Sequence, residues 1–114
     1  MKIGVIIYST DPEVVFNALR LSIFSLRKGD KVSIFLLAKG VEYESLDSSQ
    51  FNIVKLAREI VSLKGNIFAC GTCLNLRDKN SSYLCPKSNL EDLYKIIKES
   101  DKIISFWCIQ VFQI

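Results

Sequence analysis

The sequence predicts a three-layer α/β/α domain with a mainly parallel, five-stranded sheet. Short runs rich in Ile and Val alternate with segments whose apolar residues recur at helical spacing. The first runs are almost continuously apolar, which is typical of strands buried on both faces. The chain has 114 residues, 49% hydrophobic and 24% charged. That composition fits one globular domain with its own core and excludes fibrous and disordered classes.

The first 38 residues predict a strand–helix–strand unit. The opening strand covers residues 2–8, and a helix follows in which Asp11 caps the free backbone N–H groups and Pro12 takes the first position. Gly29 stands where a left-handed residue commonly ends a helix. The second buried strand covers residues 31–38. Such a unit requires a right-handed crossover between two parallel strands.

The middle of the chain contains weaker signals. Residues 39–49 are predicted to form a polar loop. Ser48 or Ser49 then caps a helix over residues 50–63, and a short third strand covers residues 66–69.

The last third of the domain is predicted from local patterns. A short helix starts near Leu74, a small fourth strand covers residues 83–85, and a capping-box pattern at residues 88–91 opens a helix that ends near residue 100. The final strand covers residues 101–106. The residues of the last helix that we expect to face the core are Leu90, Leu93, Tyr94 and Ile97.

Composition and motifs exclude several function classes. The chain contains no histidine, so a Ser-His-Asp triad, a Cys-His pair and a histidine-containing zinc site are ruled out. Neither glycine-rich phosphate-binding motif occurs. The net charge of +3 is too small to indicate nucleic-acid binding. The N-terminal apolar run is too short for a signal peptide, and no stretch reaches the ~20 apolar residues of a membrane helix. We therefore expect a cytoplasmic protein without a membrane association.

Cys70 is the most informative residue, because it directly follows a predicted buried strand and precedes a predicted helix. A helix N-terminus lowers a thiol pKa, and Gly71 would keep the thiol open. Cys70 could equally be a small buried apolar residue. Cys73 completes a C-x-x-C motif, which fits a redox dithiol, half of a metal site or an incidental neighbour. Cys85 and Cys108 stand alone in the sequence, so we expect no metal site and no cofactor.

Two groups of charged residues near these cysteines allow two interpretations each. Glu42, Glu44 and Asp47 fit a solvated loop or a mobile lid over Cys70. Arg77 fits an exposed surface position or a partner for an anionic sulfur species.

The polar residues 8–11, near the expected switch point of the sheet, fit a turn with a helix cap or a ligand contact.

The residues just described carry a resemblance to a known family. The opening strand–helix–strand unit, the run 34–37 that leads to Gly40, and the short strand 67–69 that delivers Cys70 with Arg77 beyond it are similar to the DsrE/DsrF-like family. This family includes the TusD and YchN-like sulfur-relay proteins. The resemblance extends over nearly the whole predicted domain.

The resemblance implies a carrier of persulfide sulfur that assembles into trimers or hexamers, works without a cofactor and exchanges sulfur with donor and acceptor proteins. Cys70 matches the sulfur-accepting cysteine and Arg77 the arginine that follows it. Backbone N–H groups around Gly71 and Thr72 would stabilise the sulfur anion. Cys73 is a departure from the sulfur-relay members, and it could resolve the persulfide by forming a disulfide.

The sequence leaves three functional interpretations open. The protein could be a sulfurtransferase-type persulfide carrier, a disulfide oxidoreductase that uses Cys70 and Cys73, or a binding module without chemistry. Against the oxidoreductase, no later proline is expected opposite the cysteine pair, since Pro86 follows Cys85 directly. The domain is expected to cover residues 1–106. The apolar extension 107–114 suits a subunit contact or an extra edge strand.

Overall fold

Five parallel strands form one sheet, in the spatial order 87–88, 66–70, 31–36, 2–7 and 102–106. The computed structural model describes residues 1–107. The strands are β1 (Lys2–Ile7), β2 (Lys31–Leu36), β3 (Asn66–Cys70), β4 (Lys87–Ser88) and β5 (Lys102–Phe106). The helices are α1 (Pro12–Arg27), a 3₁₀ helix (Ala38–Leu46), α2 (Ile53–Ser62), α3 (Gly71–Leu76) and α4 (Leu90–Glu99). The predicted α/β class with a five-stranded sheet is confirmed, and every strand pair is parallel.

The first strand–helix–strand unit forms as predicted because its local signals agree. The Asp11 carboxylate accepts hydrogen bonds from the N–H groups of Glu13 and Val14, at 2.9 and 3.3 Å. Pro12 occupies the first turn of α1, where its missing N–H costs nothing. Gly29 has a φ of +95°, the left-handed conformation that ends the helix region.

The sheet separates two unequal layers. Aligned apolar rows on β1, β2 and β3 face α1 and α2, since parallel register places paired side chains on the same face. On the other face, α4 packs through Ile96 against Gly4 of β1. The rows facing α1 and α2 comprise Ile3, Val5, Ile7, Val32, Ile34, Leu36, Ile67 and Ala69.

The segment predicted as a polar loop over residues 39–49 is mostly a 3₁₀ helix, so that prediction is wrong. Its polar residues alternate with buried ones, and Tyr43 is fully buried with its hydroxyl donating to the Leu84 carbonyl. Gly40 lies against the end of β1, where a Cβ atom would come within 2.1 Å of the Ile7 carbonyl oxygen. The segment is therefore packed onto the carboxyl ends of the strands.

The fourth strand follows residues 83–85 instead of including them, so its predicted position is wrong. Ser82 and Cys85 exchange backbone hydrogen bonds of 3.1 and 3.0 Å and close a tight turn. Pairing with β3 begins after this turn, where the Pro86 carbonyl accepts a hydrogen bond of 2.8 Å from the Ala69 N–H. Pro86 lacks an N–H, yet its carbonyl can still bind a neighbouring strand.

Helix α2 starts later than predicted and uses a different cap. It begins at Ile53, and neither Ser48 nor Ser49 caps it. The Asp47 carboxylate instead accepts a hydrogen bond of 3.0 Å from the Val54 N–H. The cap therefore comes from the end of the 3₁₀ helix, a longer-range contact than a local sequence pattern specifies.

Helix α4 exposes most of the face that was predicted to be inward. Asn89 caps it by accepting from the Asp92 N–H at 2.9 Å, one residue later than the capping-box pattern indicated. Ile96 is the buried residue of the helix, and Leu93 is half-buried. The residues wrongly predicted to face the core are Leu90, Tyr94 and Ile97.

The C-terminal extension lies mostly outside the described residues. Trp107 is exposed and stacks on Tyr8 with ring centroids 6.1 Å apart. The predicted subunit contact or extra strand over residues 107–114 otherwise falls beyond what the structure describes. Within residues 1–107, no helix combines the length and the apolar character needed to cross a bilayer.

Candidate functional site

Cys70 is the last residue of β3, and its thiol is buried. The side chain is 5% exposed, so the expectation of an open thiol is wrong for the single chain. Two contacts explain the burial: Cys70 is the register partner of Ser88 on β4, and α3 begins at the next residue, Gly71. A Cβ atom at Gly71 would lie 2.8 Å from the Ser88 carbonyl oxygen, so only glycine allows this close approach without a shift.

Cys73 lies one turn into α3 and is the more accessible of the two thiols. The backbone N–H of Ala38 donates to its Sγ atom at 3.2 Å. Burial and the neighbouring Cys70 side chain raise the pKa of Cys73, although the Ala38 amide and the charge of Arg77 oppose the shift. The C-x-x-C motif therefore places a buried thiol at the end of β3 and a more accessible thiol on α3, which faces the 3₁₀ helix.

Arg77 joins the site to the 3₁₀ helix. Its Nε atom donates to the Glu42 carboxylate at 2.9 Å, and its Nη1 atom donates to the Cys73 carbonyl at 3.0 Å. The interpretation of Arg77 as a purely exposed surface residue is therefore wrong. The guanidinium therefore ties α3 to the 3₁₀ helix, and its charge acts to lower the pKa of the Cys73 thiol.

The acidic residues of the 3₁₀ segment are all engaged, so the solvated-loop interpretation does not hold. Glu42 binds Arg77, and Glu44 accepts a hydrogen bond of 2.8 Å from the Ser82 hydroxyl. Asp47 caps α2 as described above. These contacts hold the 3₁₀ helix, residues 38–46, against the thiol pair. We call this helix the cover of the site.

Gly71 and Thr72 form the first turn of α3, where Gly71 is buried and Thr72 is exposed. Their predicted role in binding an anion remains a prediction. Sequence reasoning missed Ala38, because it acts through its backbone N–H and an alanine side chain carries no signal of such a role. Its positive φ of +51° shows that the chain turns sharply where it approaches Cys73.

The other two cysteines are not part of the pair. Cys85 is fully buried and donates to the Val41 carbonyl at 3.6 Å, and burial raises its pKa to about 11. Cys108 lies outside the described residues. Among residues 1–107, no three His, Cys, Asp or Glu side chains come together in a way that could hold a metal ion.

Residues 8–11 serve the turn and the cap. The Ser9 hydroxyl is buried and accepts a hydrogen bond of 3.0 Å from the Asp11 N–H, while the Asp11 carboxylate caps α1. Both polar side chains are thus used within the fold. The structure favours the structural interpretation of this segment.

This geometry defines a class of protein, namely a parallel α/β domain with a thiol pair at the end of its third strand. The sequence matches the DsrE/DsrF-like family over residues 1–106, and the chain belongs to that family. The resemblance predicted from the sequence is confirmed.

Relatives and solved structures agree with this assignment. An uncharacterized protein of Methanocaldococcus jannaschii is 32% identical, with 93% of this chain and all of that protein covered. An uncharacterized protein of Methanopyrus kandleri is 28% identical over 82% of this chain and 83% of its own. The crystal structure of the ychN protein from E. coli superposes with a TM-score of 0.79 at 20% identity, covering 93% of this chain and 100% of that one. A conserved protein of unknown function from Bacteroides thetaiotaomicron gives 0.74 at 18% identity, covering 92% and 94%. The structural likenesses concern the fold alone.

Proposed function

We propose that this protein carries sulfane sulfur as a persulfide on Cys70 and passes it to a partner thiol. The observation that carries this proposal is the position of Cys70 as the last residue of β3, with Cys73 on the helix that follows, in a chain of the DsrE/DsrF-like family. In parallel sheets, chemistry gathers beyond the carboxyl ends of the strands. A reducing cytoplasm, which keeps such thiols free, suits this role.

The chemistry is thiol exchange and needs no cofactor. The Cys70 thiolate attacks the terminal sulfur of a donor persulfide, which forms Cys70–S–SH after protonation and releases the donor thiolate. An acceptor thiolate then attacks the same terminal sulfur and leaves Cys70 as a thiolate. Cys73 has a second option: its thiolate can attack the inner sulfur of the persulfide, which forms a Cys70–Cys73 disulfide and expels hydrosulfide.

Access to Cys70 requires the site to open, because β4 and α3 lie beside its buried thiol and the 3₁₀ cover lies against Cys73. The 3₁₀ segment is held over the pair by the Ala38 contact with Cys73 and by the ion pair between Glu42 and Arg77. The ion pair is partly exposed, so its contribution to closure is about 1 kcal/mol or less. A donor protein that attracts Arg77 would remove this contribution and favour the open form.

Arg77 is the residue we assign to the sulfur anion. A persulfide is more acidic than the parent thiol and is largely anionic at neutral pH, so a nearby guanidinium stabilises the loaded state. Backbone N–H groups of Gly71 and Thr72 are proposed as further donors once the cover opens. The working domain is proposed to be residues 1–106, acting as a homo-oligomer with separate donor and acceptor proteins.

A second candidate function is a dithiol–disulfide oxidoreductase that uses Cys70 and Cys73. The C-x-x-C spacing of the two thiols favours it, and so does Pro86, whose carbonyl binds the residue before Cys70 and therefore lies nearer the pair than the sequence indicated. Reduction of insulin disulfides in the presence of a standard reductant tests this activity. Turnover that disappears in both Cys70→Ser and Cys73→Ser would favour this candidate over sulfur transfer.

Mass spectrometry of the intact protein after incubation with a persulfide donor tests the preferred function. Wild-type protein should gain one sulfur atom, and Cys70→Ser should not. Cys73→Ser should keep the added sulfur for longer, because no neighbouring thiol remains to expel it. Cys85→Ser is the matched control, since Cys85 is equally buried but lies away from the pair. Uptake by Cys70→Ser at the wild-type rate would refute the assignment.

A further inference from the structure

The exposed apolar residues of α4 form a continuous stripe. Leu90, Tyr94 and Ile97 are 69%, 63% and 49% exposed, and their spacing of four and three residues places them on one side of the helix. We call these three residues the α4 stripe. Three large apolar side chains aligned on one helix are more than the scattered exposure that a soluble surface normally shows.

The α4 stripe lies towards the edge of the sheet. On the opposite flank of α4, Glu99 lines a cavity together with Lys31 and Asn66 of β2 and β3. The stripe therefore faces β5, the edge strand, whose Ile103 projects to the same side of the sheet and is 38% exposed. Ile103 is thus a further exposed apolar side chain on the face of the sheet that carries α4.

The charges beside the stripe are arranged so that the helix complements itself. Glu91 and Lys98 lie seven residues apart on the same side of α4, next to the stripe. Within residues 1–107 neither forms an ion pair. When two α4 helices lie antiparallel, Glu91 of each faces Lys98 of the other, Leu90 faces Ile97, and Tyr94 faces Tyr94. The sequence midpoint of each pairing falls within half a residue of position 94. A single two-fold axis that passes by Tyr94 therefore relates all three pairings.

We propose that a second copy of this chain covers the α4 stripe through an antiparallel, two-fold α4–α4 contact centred on Tyr94. The apolar stripe supplies the buried surface, and the two Glu91–Lys98 pairs set the direction of the helices. Opposed helix dipoles add to the preference for the antiparallel arrangement. The proposal concerns assembly and does not depend on the sulfur chemistry of Cys70.

Sedimentation equilibrium of the full chain at about 1 to 100 μM tests the contact. Tyr94→Glu should weaken the two-fold contact about 100-fold or more, because it places a carboxylate pair on the axis of a desolvated interface. The assembly mass should then halve, whether or not other interfaces link further copies. Phe24→Glu is the matched control: Phe24 is 61% exposed on α1, on the opposite face of the sheet, and its replacement should leave the mass unchanged.

Charge exchange tests the antiparallel direction. Glu91→Lys alone and Lys98→Glu alone each turn two symmetry-related attractions into repulsions, so each should weaken association about tenfold. The double variant restores both pairs and should return to within about threefold of the wild type. A monomeric wild type would overturn the proposal and leave the stripe to residues 108–114 or to a different protein. An unchanged mass for Tyr94→Glu, or a double variant weaker than either single one, would overturn it as well.

Discussion

Gly40→Ala is the substitution for which the structure predicts the largest effect from one added methyl group. A Cβ atom at this position would lie 2.1 Å from the Ile7 carbonyl oxygen and 2.8 Å from its carbonyl carbon. Carbon and oxygen atoms normally approach no closer than about 3.3 Å, so the 3₁₀ segment must move away from β1 by roughly 1 Å. The neighbour is backbone and cannot yield by a rotamer change.

The magnitude follows from two losses. Overpacking against rigid backbone costs about 2 kcal/mol. The same displacement breaks the 2.9 Å hydrogen bond from the Leu37 N–H to the Ile7 carbonyl, which contributes about 1 kcal/mol. We therefore expect a loss of about 3 kcal/mol in the free energy of unfolding, or a Tm lower by about 12 °C for a domain of this size.

Urea unfolding and thiol labelling together check this prediction. With a slope of about 1.5 kcal/mol/M, the midpoint should fall by about 2 M. Because the displaced segment carries the Ala38 N–H that lowers the pKa of Cys73, alkylation of Cys73 should also reach its half-maximal rate at a higher pH than in the wild type.

Gly29→Ala is the matched control for Gly40→Ala. Its φ of +95° adds strain of about 1 kcal/mol, but a Cβ atom there meets no atom within 4 Å and the site is untouched. Thiol reactivity should therefore stay at the wild-type level in this variant. A Gly40→Ala variant with an unchanged urea midpoint and unchanged Cys73 labelling would refute the packing argument.

Three further predictions concern the buried polar groups and the thiol pair. Burial raises the pKa of Cys85 to about 11, so above about pH 9 the unfolded chain releases a proton that the folded chain retains. Through Cys85, stability should fall with rising pH by up to about 2–3 kcal/mol in this window, and Cys85→Ala should make the slope of the urea midpoints against pH shallower by that share. Tyr43→Phe should cost about 1–2 kcal/mol in the same assay, because the Leu84 carbonyl loses its donor. Since the pKa of Cys73 is raised, its alkylation rate should reach half-maximum at a higher pH than the rate of free cysteine does. Arg77→Gln should move this midpoint pH higher still, because the arginine charge lowers the pKa of Cys73. A midpoint lowered in that variant would contradict the assigned charge effect.

Local signals were sufficient for the order and type of most elements. Asp11 and Gly29 mark the ends of α1 by chemistry that acts within a few residues, and continuous Ile and Val runs identify buried strands. The position of Cys70 at the end of β3 followed in the same way. The weak predictions fell where local signals were mixed, as in the 3₁₀ helix, whose polar residues mask a buried Tyr43.

The candidate site itself depends on contacts between distant segments. Ala38 and Cys73 meet across 35 residues, and so do Glu42 and Arg77. Nothing in a local pattern specifies such pairs, since they arise only when packed strands bring their carboxyl ends together. The C-x-x-C motif could be read in advance, but the burial of Cys70 and the 3₁₀ cover against Cys73 could not.

Helix α4 also separates what the sequence determines from what the tertiary structure decides. Its apolar periodicity was evident from residue spacing alone, because a helix repeats every 3.6 residues whatever surrounds it. Which side meets the sheet depends on where α4 crosses the strands, and the structure turns Ile96 inward and leaves Tyr94 facing solvent. Periodicity thus reveals that a helix has an apolar side, whereas only the three-dimensional arrangement decides whether the chain's own core or another molecule must cover it.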